Sequence, residues 1–437
     1  MTFDELRAAW QADLRERIAE HVVRLGWSGE QLRAHQRSRL QALLAHAIER
    51  SPFHRSRLAG VDPATFELAD LPRLPVMTKA EMMERFGEVV TDRALSRDVV
   101  ERALAATQRD PVPIHGRYIA MASGGSSGCR GVFVSDLPAF GEFIGSLSRS
   151  LAARIPPGAR VAISMVCAAS AVHATVAAPA FTIGAGLPFE FATVPVTRPL
   201  GEIVARLNTL NTPLLYGYPT MLARLAAERR AGRLRIQPLA ISSTSETLHP
   251  ELRAAIRDGF GCPIVDTFGS TEGLVGTTAP DDPVLVFNSD VCLVEIEPAR
   301  VLVTNLANHV QPLIRYELTD VFVQQPSEGF LRATVHGRSD DVLQFDHVAV
   351  HPHAIRAVLV KTPEVLDYQL KQTQRGVEIV ALTDDDAALD VAGVCRRVAL
   401  ALAEAGLENP EVRLTVATSL SRDDRTGKLQ RVVPLSC

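Results

Sequence analysis

The sequence predicts an α/β protein, a large multi-subdomain N-terminal region followed by a small α+β C-terminal domain. Three observations lead there. Between about residues 161 and 265 apolar runs of strand length alternate with helical patterns, the signature of a core with a largely parallel sheet. After Val284 the texture changes to short alternating strands, which suggests an antiparallel or barrel-like subregion. Beyond Gly337 come further short strands and two helices, enough for a separate domain. A chain of 437 residues is also too long for one ordinary core, and its 46 % apolar content is ample for packing.

Taken in order, residues 1–50 read as amphipathic helices, with Leu40, Leu43, Leu44 and Ile48 at helical spacing, and prolines punctuate 51–78. Strand-like runs at 118–121 and 132–134 flank a glycine-serine stretch. Buried strands are expected at 161–166, 214–216, 240–242 and 263–265. Helices open at Pro219, running to about Gly232, and at Pro250, closing at Gly259; proline at the start and glycine at the end suit the free N–H and C=O groups of helix termini. Alternating strands come next at 292–296, 301–303 and 331–335, and the longer C-terminal helix spans about 391–405, closed by Gly406.

A formal charge of −4 and a pI near 6.3 provide no global attraction to nucleic acid or to an anionic membrane. The N-terminus, with acids from the fourth residue and no apolar run, does not read as a signal peptide, and no stretch approaches the roughly 20 apolar residues of a membrane span. Six scattered cysteines without a CxxC pair argue against structural zinc and a disulfide framework. The expectation is a soluble cytoplasmic protein, with homodimerisation left open.

Five motifs carry chemistry. Ser123-Gly124-Gly125-Ser126-Ser127-Gly128 can wrap phosphate with backbone N–H and side-chain hydroxyl groups; taken alone it reads equally well as a surface loop. It is not a Walker A loop, since no Lys-Ser/Thr follows its last glycine. Gly124–Gly128 also satisfies G-x-S-x-G, leaving a serine esterase on Ser126 as another class, but that elbow needs a helix directly after it and a strand is expected here. Asp266-Thr267-Phe268-Gly269-Ser270-Thr271-Glu272-Gly273 follows a parallel strand, where α/β ligand sites form, and its Glu272 carboxylate can hold Mg²⁺ against phosphates. Asp320, after Pro312-Leu313-Ile314-Arg315-Tyr316, can accept two hydrogen bonds from a ribose diol. Gly337-Arg338-Ser339-Asp340-Asp341 falls at the expected domain boundary. Thr426-Gly427-Lys428 places a lysine on a glycine-containing turn, where it can reach phosphate as a point charge. Each of these, by itself, is an ordinary solvated turn.

In this order the five resemble the adenylate-forming superfamily of acyl-CoA synthetases, adenylation domains and luciferases, and most of all phenylacetate-CoA ligase-like proteins. Ser51-Pro52-Phe53-His54, Leu71-Pro72-Arg73-Leu74-Pro75, Tyr216-Gly217-Tyr218-Pro219 and Thr304-Asn305-Leu306 add to the likeness, which covers nearly the whole chain. The resemblance implies an ATP-binding domain over 1–337 and a mobile lid over 338–437. It implies that Ser123 to Gly128 hold the β- and γ-phosphates of ATP, and that Ser245, Glu246, Asp266, Thr267, Phe268 and Gly269 line the adenine site. Thr271 would meet the α-phosphate and Glu272 would bind Mg²⁺. Asp320 and Arg338 would grip the ribose, Asp340 would be the hinge, and Lys428 would bridge carboxylate and α-phosphate. His173 would guard the acyl pocket beside Tyr216, Gly217, Tyr218 and Pro219, though a packed core histidine is as good a reading of it.

The implied function is activation of a carboxylic acid, aromatic by the nearest likeness, as its acyl-adenylate, with transfer to CoA; an amine or hydroxyl acceptor in a biosynthetic pathway is the alternative, and a non-catalytic acyl-binding relative a third reading. The chain departs from the pattern in several places. The glycines of the adenine-stacking strand are replaced by Ser243-Thr244-Ser245, and Cys129-Arg130 stands where a lysine often follows the phosphate loop. Glu317-Leu318-Thr319 replaces an Arg-Thr-Gly run, and His347 takes the place of a glycine on the acceptor side of the lid. His347, His351 and His353 alternate as on one strand face and could suggest a metal, but Pro352 interrupts that strand.

Overall fold

A computed structural model describes residues 2–123, 130–168, 170–298, 300–339, 342–362, 364–383, 388–422, 429–433 and 435. The chain divides into two compact units, Met1–His336 and Gly337–Cys437.

The first unit begins with two long helices, α1 (Phe3–Arg24) and α2 (Gly29–Arg50), each started by a reciprocal cap: Thr2 with Glu5, and Ser28 with Gln31. Short helices α3 (Pro52–Arg57), α4 (Lys79–Glu84), α5 (Phe86–Val89) and α6 (Arg97–Ala106) lead to a hairpin of β1 (Tyr118–Ala122) and β2 (Val132–Asp136). Helix α7 (Leu137–Ala152) comes next, capped by Asp136, whose carboxylate accepts from Ala139 N at 3.0 Å.

The centre is a run of parallel strands and crossover helices: β3 (Val161–Cys167), α8 (Ala174–Thr182), β4 (Phe189–Pro195), α9 (Leu200–Leu210), β5 (Leu214–Gly217), α10 (Pro219–Arg230), β6 (Ala240–Thr244), α11 (Pro250–Phe260) and β7 (Ile264–Gly269). The chain then turns antiparallel through β8 (Val275–Thr278) and β9 (Leu285–Phe287). It builds a three-stranded sheet from β10 (Cys292–Glu297), β11 (Arg300–Asn305) and β12 (Tyr316–Leu318), and returns through β13 (Asp320–Gln325) and β14 (Arg332–Arg338). The nine-stranded sheet runs β13-β14-β9-β8-β7-β6-β5-β3-β4. Its parallel strands read as apolar runs because crossover helices cover both faces: right-handed connections put α9, α10 and α11 on one face and α8 on the other. Helices α10 and α11 pack on each other, and α1 packs on α7 and α8. Phe3, Trp10, Phe140 and Phe181 meet edge-to-face or stacked at that second junction.

The second unit contains a hairpin of β15 (Leu343–Phe345) and β16 (Val348–Val350), helix α12 (His353–Val360), β17 (Val365–Gln372), β18 (Gly376–Thr383), α13 (Val391–Glu404), β19 (Glu411–Ala417) and β20 (Val432–Val433). Its four-stranded sheet runs β19-β18-β17-β20, with α12 and α13 packed together over a core that includes Ile355, Leu359, Tyr368, Leu370, Val394 and Val398. The three histidines do not share a strand. His347 sits in the two-residue turn between β15 and β16, His351 follows β16, and His353 opens α12. Among the described residues no group of His, Cys, Asp and Glu is gathered to hold a metal ion.

Candidate active site at the carboxyl edge of the parallel sheet

Strand order β4-β3-β5 places a topological switch at β3: the chain leaves it to one side for β4 and returns on the other side for β5. Loops diverge there at the carboxyl ends, which opens a crevice. Tyr218, one residue beyond β5, spans it, its hydroxyl accepting from Ala168 N at 3.0 Å at the end of β3. The Tyr218 ring is fully buried, and burial raises the pKa of both Tyr216 and Tyr218. Gly217 is needed for close approach, since a Cβ there would stand 3.1 Å from Val166 O. Pro219 starts α10. Of the four expected pocket residues, then, Tyr218 is a floor of the crevice rather than open surface. His173 lies just before α8, with Nδ1 3.3 Å from Ala122 O, which brings it against the end of β1 where the glycine-serine loop begins.

The ends of β6 and β7 are joined by a short hydrogen bond of 2.5 Å from Ser243 Oγ to Asp266 Oδ1. Burial pushes the Asp266 carboxyl up from 3.8 to about 6, against the opposing pull of Ser243 and Arg253. Ser245 turns the chain at φ +67°, in the left-handed region that glycine enters without strain; the glycine replaced in sequence persists as a backbone conformation. Glu246 Oε2 accepts from Thr220 N at 3.2 Å and Thr220 Oγ1 at 2.8 Å, tying the adenine-side segment to the first turn of α10. Thr267 is buried within the sheet, its Oγ1 3.4 Å from Ser242 Oγ, and so faces away from the Asp266 side of β7. Phe268 is half-buried and packs edge-on against Phe287 and Phe322. Gly269 is exposed at the end of the strand.

The turn after β7 carries Thr271, half-exposed, and Glu272, only 6 % exposed. Among the described residues none donates a hydrogen bond or offers an ion pair to the Glu272 carboxylate. Ser270 Oγ, beside them, is buried and has no hydrogen-bond partner among the described residues. A carboxylate free of protein partners among the described residues, with the Thr271 and Ser270 hydroxyls beside it, is a donor set of the kind that holds a divalent cation shared with ligand phosphates. The turn is rigid. Asn305 Nδ2 donates to Glu272 O at 2.8 Å, Asn288 Nδ2 donates to Gly273 O at 3.0 Å, and Gly273 takes φ +104°. The sequence motifs do not single out Asn288, Asn305, Asn308 or Gln311 as site residues. For Asn305, Asn308 and Gln311 the signals are a cluster of amide side chains at 305–311 flanked by residues of core character and, for Asn305, its place in the Thr304-Asn305-Leu306 run; Asn288 has none.

Ser123 closes the neck of the glycine-serine loop: its N–H donates to Gly131 O at 2.9 Å and its Oγ accepts from Gly131 N at 2.8 Å. Gly124, Gly125, Ser126, Ser127 and Gly128 lie outside the described residues. The loop is followed by β2, antiparallel to β1, with α7 beginning only at Leu137; the strand-to-helix elbow that a Ser126 esterase needs is absent. Arg130, in the place of the missing lysine, is engaged with Glu101 at 2.7 Å.

Asp320 opens β13 directly after β12, and Arg338 ends β14, both half-buried. Asp340 and Lys428 lie outside the described residues. The segment just beyond Lys428 is anchored: Arg431 pairs with Asp367 at 2.8 Å and lies over the Tyr368 ring. His347 is exposed at its hairpin tip.

No family model matches the sequence. A phenylacetate-coenzyme A ligase of Thermus thermophilus is 29 % identical over 387 residues, 79 % of each chain. Protein CapK of Staphylococcus aureus is 27 % identical over 157 residues, 32 % of this chain and 34 % of that one. Crystal structures of 2-hydroxyisobutyryl-CoA ligase in the postadenylation state superpose with a TM-score of 0.67, covering 91 % of this chain and 88 % of that one at 17 % identity. The chain is similar in sequence to a phenylacetate-coenzyme A ligase and shares the fold of 2-hydroxyisobutyryl-CoA ligase. An amide bond synthetase from Marinactinospora thermotolerans shares the fold more distantly, with a TM-score of 0.51 at 13 % identity over 70 % of this chain and 67 % of its own.

Proposed function

We propose that this chain activates a carboxylic acid with ATP, releasing pyrophosphate, and passes the acyl group of the resulting adenylate to CoA. The observation that carries the reading is Glu272, 6 % exposed and with no partner for its carboxylate among the described residues, at the carboxyl end of the parallel sheet, in a chain similar over 79 % of its length to a phenylacetate-CoA ligase. In the first half-reaction a carboxylate oxygen of the acid attacks the α-phosphorus, and the bond to the bridging oxygen of pyrophosphate breaks. Ser123 and residues 124–128 hold the β- and γ-phosphates through backbone N–H and hydroxyl groups. Thr271 donates to the α-phosphate. Bound through Glu272, Mg²⁺ would neutralise charge on the phosphates. Lys428 supplies positive charge to the pentavalent phosphorus. Asp266, with Ser245, Glu246, Phe268 and Gly269, borders the adenine, and Asp320 and Arg338 hold the ribose. His173, Tyr216 and Gly217 face the acid. In the second half-reaction a thiol sulfur attacks the acyl carbon and AMP leaves.

The name of the Thermus relative supports an aromatic acid, and a cytoplasmic setting accords with the need for ATP and CoA. One observation favours a second acceptor reading. His347 is exposed at the β15–β16 tip, beside Asp346, where the resemblance has glycine; an imidazole there can take a proton from a small amine or hydroxyl. The test is a pyrophosphate-release screen against a panel of carboxylic acids, followed by mass spectrometry of the product formed with CoA. Release with aromatic acids and a thioester product are expected. If no acid elicits pyrophosphate, the reading fails; if pyrophosphate appears and no thioester forms, the acceptor is another nucleophile.

A further inference from the structure

The segment from Asn305 to Gln311 holds two parts of the site at once. Asn305, 7 % exposed at the end of β11, donates from Nδ2 to Glu272 O at 2.8 Å while its Oδ1 accepts from Ala307 N and Asn308 N at 2.9 and 3.0 Å. Three residues on, Asn308 Nδ2 donates to Val134 O at 2.9 Å, and its Oδ1 accepts from Val310 N and Gln311 N. The fully buried Gln311 donates to Val132 O at 3.0 Å and accepts from Val134 N at 2.8 Å. Val132 and Val134 belong to β2, the strand that leaves the glycine-serine loop. Every polar side-chain atom of the three amides is engaged with backbone, either within the segment or across to one of the two site elements. They therefore act as rigid spacers.

Contact at the Glu272 end is tight. A Cβ on Gly273 would lie 2.3 Å from Asn305 Nδ2, so the amide is seated flush against the turn that only glycine allows. Next to it is a cavity of about 30 Å³ lined by Glu272, Asn305, Phe140, Phe143 and Ser135, whose Oγ is buried and has no partner among the described residues. Without the Asn305 amide, the Glu272 peptide has room to retreat into that space, and its carbonyl loses its donor.

We propose that Asn305 is the positioning residue for the Glu272 carboxylate, and that the 305–311 segment sets the spacing between that carboxylate and the strand leaving the phosphate-binding loop. The inference rests on the reading of Glu272 as the Mg²⁺ ligand. It assigns to Asn305 an effect on metal-bound nucleotide rather than on nucleotide as such.

The experiment is calorimetric titration of the full chain with ATP, once in Mg²⁺ and once in EDTA. It is run on wild type, Asn305→Ala and the isosteric Asn305→Asp, with thermal unfolding to establish that each variant is folded. Loss of one buried neutral hydrogen bond corresponds to roughly tenfold in affinity. Both variants are expected to bind Mg·ATP about tenfold more weakly, by that measure, with metal-free ATP binding unchanged, and to need correspondingly more Mg²⁺ in acid-dependent ATP–pyrophosphate exchange. An equal loss with and without metal, or no loss in a folded variant, overturns the assignment. Glu272→Gln separates the two layers. If it leaves the Mg²⁺ dependence of ATP binding at the wild-type level, the metal-ligand reading fails; if it abolishes that dependence while both Asn305 variants remain wild-type, the positioning role fails alone.

Discussion

Asp266 carries a cost that can be measured. Its folded carboxyl is raised by burial to about 6 from 3.8, so the folded state holds the proton more tightly than the unfolded chain. Any stability contributed by that proton is fully present below about pH 3.8 and lost as pH rises through 6. Asp266→Asn, which keeps an oxygen for Ser243 Oγ, is therefore expected to raise Tm at pH 7.5 by roughly 1–2 °C, the shift of about 1 kcal/mol in a unit of this size. The gain should shrink as pH falls below 6 and vanish near 4, and a gain equal at all pH values would contradict burial as its cause. The same carboxylate is proposed to border the adenine, and a cost in stability at a ligand-binding position accords with that proposal. At the other end of the chain, Lys428→Ala is expected to lower acid-dependent ATP–pyrophosphate exchange by roughly 10²–10³, the cost of one lost charge on the transition state. Exchange at the wild-type rate would remove Lys428 from the mechanism. The end of a parallel strand near Asp266, Thr271 and Glu272 was legible in sequence, although β7 runs on through Asp266 to Gly269. The inward turn of Thr267 was less so, because only the register of β7 against β6 decides which side chains face the crevice.

At the scale of elements, α1 is joined to α7 and to the turn before β10 by a buried ionic cluster. Glu142 on α7 accepts from His21 Nε2 at 3.1 Å and Arg24 Nη1 at 2.8 Å, and Asp290 pairs with Arg149 at 2.8 Å and Arg24 at 3.4 Å. Burial opposes ionisation of Glu142, but the hydrogen bonds from His21 and Arg24 prevail and hold its carboxyl well below the ordinary 4.5. A depressed folded pKa gives stability that is present above about pH 4.5 and lost as pH falls toward the folded value. Glu142→Ala leaves buried cations without their anion, and is expected to cost about 3–5 kcal/mol in urea unfolding at pH 7. The loss should diminish in acid, and a variant that unfolds like wild type at pH 7 would show that Arg24 is satisfied by Asp290 and Glu20 alone. The cluster also reaches the site. Asn288, two residues before Asp290, holds Gly273 O and donates to Ser146 Oγ at 3.2 Å, and Ser146 lies one turn beyond Glu142. None of this was legible in sequence, because the partners lie more than 100 residues apart and each alone is an ordinary charge on an amphipathic helix. The helices themselves were legible, from leucine spacing and from the proline and glycine that mark their ends.

For the whole molecule the division into Met1–His336 and Gly337–Cys437 raises the question of motion. Asp340 is proposed as the hinge, and hinges are a few residues that absorb a change in φ and ψ. Asp340→Pro fixes φ and is expected to abolish one half-reaction while leaving the other near its wild-type rate. Pyrophosphate exchange reports the first step, and thioester formation from supplied acyl-adenylate the second. Equal loss of both in a folded protein, or loss of neither, would rule the hinge out.

The sequence by itself determined the alternation of strands and helices, a later antiparallel region, whose start the structure moves from residue 284 back to β8 at Val275, and the place of the Asp266–Glu272 run near a strand end, because periodicity and local turn chemistry are short-range properties written in adjacent residues. Tertiary structure decided the rest. It made Tyr218 a buried floor, turned Thr267 inward, gave Ser245 the backbone of a glycine, and brought Asn305 against Gly273. These outcomes depend on strand order and register, which join residues distant in the chain, and on burial, which turns a generic amide or carboxylate into a positioning contact or a shifted acid only once water has been excluded around it.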